Sequence, residues 1–191
     1  MGESRRPVRI AGIGDLHVAE NAGGIWRELF AEISERADVL ALCGDLTNLG
    51  APREAEILAD DLAACTIPVV GVLGNHDFEC GQPDEVRRIL HDVGVFFLEG
   101  QAVEIDGIGF AGAKGFAGGF GARMLSPFGE PAIKRFVAEG VEEAVRLETA
   151  LRALGTERTV VVLHYAPVAA TVEGEPKELF PFLGSSRLGE T

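Results

Sequence analysis

Four runs of this sequence end in side chains that could hold a metal ion or move a proton. VRIAGIGDLH closes on Asp15 and His17, and VLALCGDLTN on Asp45 and Asn48. VVGVLGNHD closes on Asn75, His76 and Asp77, and TVVVLH on His164. Carboxylate and amide oxygens together with imidazole nitrogens suit borderline divalent ions such as manganese, iron or zinc. Each residue alone has an ordinary explanation: an Asp after a strand is commonly a turn former or an N-cap, and a buried His is commonly satisfied by a carbonyl. Three polar residues in a row at the end of an apolar run are costly to bury without a partner, about several kcal/mol. Either a solvated turn or an ion would remove that cost. The coincidence at four tips, with a glycine just before the ligand at three of them, favours the ion.

The elements that must position these tips follow from apolar patterning. Val8 to Gly14, Val39 to Cys43 and Pro68 to Leu73 are continuous apolar runs, as expected for strands buried on both faces. Between them, Ile25 to Ala37 and Ala51 to Cys65 have helical periodicity. The first would bury Ile25, Trp26, Leu29, Phe30 and Ile33, and Pro52 suits a first helical turn in the second. Pro83 to Val93 is a third helix. Strand and helix alternate, which predicts a parallel sheet with right-handed crossovers, its carboxyl ends gathered into one crevice.

The pattern changes after that. Val95 to Leu98, Ala102 to Ile105 and Ile108 to Ala113 are short strands separated by Gly-containing turns, which predicts antiparallel hairpins. Gly115 to Gly129 (GFAGGFGARMLSPFG) has no clear period and is expected to be a loop. Pro131 to Leu154 predicts the longest helix, with Phe136, Val137, Val141, Ala144, Val145 and Leu151 as its apolar stripe. Thr159 to Leu163 is a further buried strand, and the last stretch has little periodicity. The whole, 1–191, is expected to form one domain.

Composition narrows the function. Acids outnumber bases 30 to 17, a net charge of −13, which disfavours a nucleic-acid surface because phosphate backbones reward clustered Lys and Arg. No apolar run approaches the roughly 20 residues that span a bilayer, so no membrane partner is expected. Cys43, Cys65 and Cys80 lack metal-type spacing and are odd in number, which predicts free thiols in a reducing, cytoplasmic setting. Gly107 to Gly112 formally matches G-x-G-x-x-G, but no amphipathic helix follows it, against a dinucleotide site.

D-x-H, then G-D-x-x-N, then G-N-H-D, then a lone His after an apolar strand resembles the calcineurin-like metallophosphoesterase family, from Val8 to about Pro167. The resemblance implies a four-layer α/β/β/α sandwich with two divalent metal ions at strand ends, hydrolysing a small phosphomonoester or phosphodiester. By motif position, Asp15 and His17 would hold the first ion, Asp45 would bridge both, and Asn75 and His164 would hold the second. His76 would not be a ligand; it would act as the catalytic group over the phosphate, and Asn48 would stand where relatives carry an Asp that orients it. Asp77 would only support the turn. The family's closing G-H-x-H motif is not found after His164, which predicts a C-terminally truncated domain lacking its last strands. Two alternatives remain on the same fold: a non-catalytic scaffold, favoured by the missing motif, and a nuclease, disfavoured by the charge.

Overall fold

The computed structural model describes residues 6–191. The chain divides into two compact units, Met1–Gly71 with Asn75–Phe97, and Val72–Gly74 with Leu98–Thr191. In the first, strands β1 (Ile10–Ile13), β2 (Val39–Cys43), β3 (Val69–Val72) and β4 (Val95–Phe97) form one sheet in that order. β1 runs parallel to β2 with Ile10 opposite Val39, and β3 parallel to β4 with Val69 opposite Val95. The last pairing corrects the expectation that the strand at Val95 opens the hairpins. Helix α3 (Pro83–Asp92) lies between β3 and β4, and a helical crossover returns the chain parallel.

Helices α1 (Arg27–Arg36) and α2 (Pro52–Leu62) connect the earlier strands. Phe30, Leu40, Leu42, Leu58, Val70, Val86 and Leu90 are fully buried, and each such side chain contributes about 1.5–3 kcal/mol. Of the face expected on α1, only Phe30 is buried, and Ile25 stands 64% exposed outside the helix. The cause is the buried Asp61 carboxylate, which accepts the N–H groups of Gly24 and Trp26 and holds them as a turn ahead of the helix. Asp38 does similar work at the sheet's start. Its carboxylate accepts the Arg9 backbone N–H at 2.8 Å and pairs with the Arg9 and Arg6 guanidinium groups.

The second unit has a three-stranded sheet in the order β5 (Ala102–Ile105), β6 (Ile108–Ala113), β7 (Thr159–Leu163). β5 and β6 are antiparallel, joined at Asp106 and Gly107 with φ of 51° and 76°, the two left-handed residues that a tight hairpin turn requires. β7 runs parallel to β6 after the long helix α4 (Pro131–Arg152). β7 was expected to be buried throughout, but as the edge strand it exposes Thr159 and Val161. The expected stripe of α4 is rotated as well: Val137, Gly140, Glu143, Leu147 and Ala150 are buried, while Val141 and Val145 face solvent. Two contacts set that rotation. Glu143 accepts the Gly115 N–H, and Gly140 lies where a Cβ would come 3.3 Å from the Ala117 carbonyl oxygen.

The stretch that lacked periodicity folds into two single-turn helices, α5 (Phe180–Leu183) and α6 (Ser186–Gly189). Between them, Gly184 forms a bridge with Ala166, and Ser185 with Gly119. Among the described residues, no helix is long and apolar enough to cross a membrane.

Two measurements test these packing statements. A Cβ on Gly184 would overlap the Ala166 carbonyl oxygen. Gly184→Ala should therefore lower stability by about 1–3 kcal/mol in chemical denaturation; a variant as stable as the parent would remove the close approach. The Arg9 hydrogen bonds, with help from Arg6, hold the Asp38 carboxyl down at about 2. A pKa lowered on folding stabilises the fold at neutral pH and loses that effect as pH falls from the ordinary carboxylate range through about 2. The stability gap between the parent and Asp38→Asn should close over that window and stay constant above it.

Candidate metal centre

The β1–β2 ladder continues beyond the sheet. Asp15 N–H donates to the Gly44 carbonyl and His17 N–H to the Asp45 carbonyl, both at 3.0 Å. Val18 N–H then reaches the Leu46 carbonyl, and Asn48 N–H returns to the Val18 carbonyl. The two tips are thereby laid side by side by backbone bonds alone. To make these turns, Asp15, His17 and Asp45 adopt φ of 54°, 44° and 50°. Left-handed backbone costs a non-glycine residue on the order of 1 kcal/mol or more. Apart from Asp106 in its hairpin, these are the non-glycine residues with positive φ among the described residues.

The strain sets up a cluster of donor atoms. His17 Nε2 lies 3.8 Å from Asp15 Oδ1 and 3.8 Å from Asp45 Oδ2, and His76 Nε2 lies 4.0 Å from the same Asp45 oxygen. The two imidazole rings meet edge to face, with centroids 4.4 Å apart. Atoms each about 2.0–2.2 Å from one ion can be no more than about 4.4 Å apart. The carboxylate–imidazole separations fit that limit, and the donor atoms of His17, Asp45 and His76 all lie within 4.8 Å of one another, a group that could hold an ion. Asp45 is the buried floor, with its side chain 5% exposed; Asp15 is the open rim, at 71%.

The tip after β3 is tied to the tip after β2 in both directions. His76 N–H donates to Asp45 Oδ1 at 2.9 Å. In return, Asp77 accepts the N–H groups of Leu46 at 3.2 Å and Thr47 at 2.8 Å, and the Thr47 hydroxyl at 2.6 Å. Asp77 is completely buried. The role expected for it, support of its own turn, is too small: it fixes the neighbouring loop that carries Asp45. Thr47 and Gly50 escaped the sequence reading altogether. Gly50 has φ of 73°, and a Cβ there would lie 2.7 Å from the Asp77 carbonyl oxygen. A glycine following G-D-x-x-N was the available signal for it.

Asn48 meets His76 through its backbone. His76 Nδ1 lies 2.7 Å from the main-chain carbonyl of Asn48. The orienting group is a backbone oxygen, so it does not depend on the amide side chain. A carbonyl only accepts, so the Nδ1 atom carries the proton and Nε2 faces the cluster. Asn75 is exposed and opens the short 3-10 turn His76–Phe78. His164 directly follows β7 in the second unit, its ring edge-to-face with Tyr165 at 5.4 Å.

Because Asp77 holds Asp45 through the backbone, Asp77→Asn should loosen the cluster without touching it. An amide presents a donor where the carboxylate accepts, so one of the three bonds is lost or inverted. Metal affinity should fall roughly 10–100-fold, as for other groups that orient ligands. Titration with Mn²⁺ or Zn²⁺, beside a melting curve showing a folded variant, would detect it; unchanged affinity would detach Asp77 from the site.

Comparison with known proteins agrees with this architecture. The model of the family described as calcineurin-like phosphoesterase matches residues 8–185. Among solved structures, the chain is similar to phosphopantetheinyl hydrolase (PptH) from Mycobacterium tuberculosis, with TM-score 0.67 and 15% identity over 94% of this chain and 76% of that one. It is also similar to the protein TT1561 of Thermus thermophilus, with TM-score 0.58 and 20% identity over 96% of this chain and 76% of that one. At such identities these likenesses show the fold alone. No curated protein matches the chain. The mixed α/β architecture, with one parallel-paired and one mixed sheet, is consistent with the fold of the matching family.

Proposed function

The chain belongs to the calcineurin-like phosphoesterase family, and on that premise we propose that it hydrolyses a small phosphomonoester or phosphodiester at a centre of two divalent metal ions. The observation that carries the reading is the buried Asp45 carboxylate facing two imidazole Nε2 atoms at 3.8 and 4.0 Å, with Asp15 beside them. Strained backbone spent on presenting oxygen and nitrogen donors to one point suits manganese, iron or zinc.

By motif position, Asp15 and His17 would hold one ion, Asn75 and His164 the other, and Asp45 would bridge. Oδ1 of Asp45 accepts the His76 N–H, and Oδ2 faces the two imidazoles. When bound, such ions supply Lewis acidity toward phosphoryl oxygens and a nucleophile at neutral pH. The rest falls to the chain. His76, its Nδ1 held by the Asn48 carbonyl, would present Nε2 to the phosphate, to stabilise charge or protonate the leaving oxygen. Its backbone N–H would keep the Asp45 carboxylate from turning. The odd number of cysteines, Cys43, Cys65 and Cys80, without metal-type spacing supports a reducing, cytoplasmic setting.

His76 also lies within reach of an ion in the cluster, so ligand and catalytic roles must be separated by experiment. His76→Asn should slow hydrolysis of p-nitrophenyl phosphate or its bis-ester by about 10²–10⁴-fold while metal content stays. Asp45→Asn should instead release metal, because a neutral amide cannot bridge two cations with comparable strength. Equal metal loss in both would make His76 a ligand. Metal-replete parent protein inert toward both esters would end the phosphoesterase reading.

A further inference from the structure

The Gly-rich stretch after β6 takes no part in the chemistry described above, yet it is firmly built. Gly115 N–H donates to the buried Glu143, and the Lys114 ammonium donates to the Gly115 carbonyl while lying over the rings of Phe116 and Tyr165. Gly118 N–H reaches the Pro181 carbonyl at 2.7 Å, Gly119 N–H the Gly184 carbonyl at 2.9 Å, and Gly121 N–H the Ser186 hydroxyl at 2.8 Å. Arg187 closes the far end by donating to the Leu125 carbonyl. A loop stapled at five points presents a preformed surface.

That surface encloses a pocket of about 220 Å³ in the second unit, walled by Gly118, Gly119, Phe120, Phe180, Arg123 and Lys177. Phe120 and Phe180 stand edge to face, ring centroids 6.2 Å apart at 88°. Gly119, with φ of 86°, lets the loop backbone run close along Pro181. Arg123 and Lys177 make no ion pair among the described residues. Both cations are exposed and stand beside the aromatic pair in the pocket lining.

We propose that this pocket binds a small organic anion, its charged end between Arg123 and Lys177 and its apolar body against Phe120 and Phe180. The volume equals that of roughly seven water molecules, enough for one ring with a charged head and below the roughly 300–1,000 Å³ typical of drug-sized ligands. Arg offers a planar fork and Lys a point charge, and both suit phosphate or carboxylate oxygens. The aromatic pair selects an anion with a flat or apolar body over a bare inorganic one. The site stands independently of the phosphoesterase reading.

Phenyl phosphate tests it, titrated into the full chain in EDTA at low salt, so that neither metal nor turnover contributes. Saturable binding is expected, tighter than that of inorganic phosphate. Arg123→Gln with Lys177→Gln, both exposed positions, should weaken it at least about tenfold, and Asp45→Asn should leave it unchanged. Phe180→Ala should weaken phenyl phosphate while sparing inorganic phosphate. The proposal is overturned by parental affinity in the double variant, by binding lost only in Asp45→Asn, or by no saturable binding up to about 10 mM.

Discussion

The exchange of carboxylates between the loops after β2 and β3 is the constraint on which the first unit's site rests. Asp45 accepts a backbone N–H from the β3 loop, and Asp77 of that loop accepts two backbone N–H groups and a hydroxyl from the β2 loop. Each carboxylate is buried, and an isolated buried carboxylate would either take up a proton or destabilise the fold. Charge-assisted hydrogen bonds from backbone are strong enough to offset that penalty. The consequence is geometric. Neither loop can move without unsatisfying a buried charge belonging to the other, so Asp45 and His76 keep their separation with no ion to hold them.

The same device recurs away from the site, and it explains part of the acidic excess. Glu54 accepts the N–H groups of Leu49 and Ala51, which follow the Asn48 carbonyl that holds His76. Asp61 fastens the turn before α1, Glu143 the start of the Gly-rich loop, and Glu99 the Leu73 N–H at the end of β3. A negative charge of −13 therefore describes more than the surface. Several of those carboxylates are internal clasps for loops that strands alone would leave free.

Legibility in the sequence followed the range of the interaction. Continuous apolar runs such as VLALC mark a strand wherever it sits, because burying that run needs no partner of particular type; β2 came out residue for residue at Val39–Cys43. The residues at the strand tips were legible for the same reason, since a polar side chain after an apolar run is visible in one dimension. What failed was anything settled by a partner distant in sequence. The parallel return of β4 depends on its pairing with β3, the rotation of α4 on Gly115 meeting Glu143, and the burial of Asp77 on Thr47, 30 positions away. Asn48 was legible as a position but not as an atom. Its side chain drew attention, while the atom that touches His76 belongs to the backbone and would be there for almost any residue.

That last point bears on how the site sets a proton. A side-chain carboxylate behind His76 would orient the ring through a group that can itself rotate. A carbonyl orients it and fixes which nitrogen carries hydrogen, with only a dipole behind it. Opposite the ring, the full negative charge sits on Asp45, whose Oδ2 lies 4.0 Å from His76 Nε2 and 3.8 Å from His17 Nε2. One carboxylate thus faces two imidazoles, whose rings meet edge to face with centroids 4.4 Å apart. The other oxygen of Asp45 accepts the His76 N–H, so the side chain that faces the two rings also pins the loop that carries one of them.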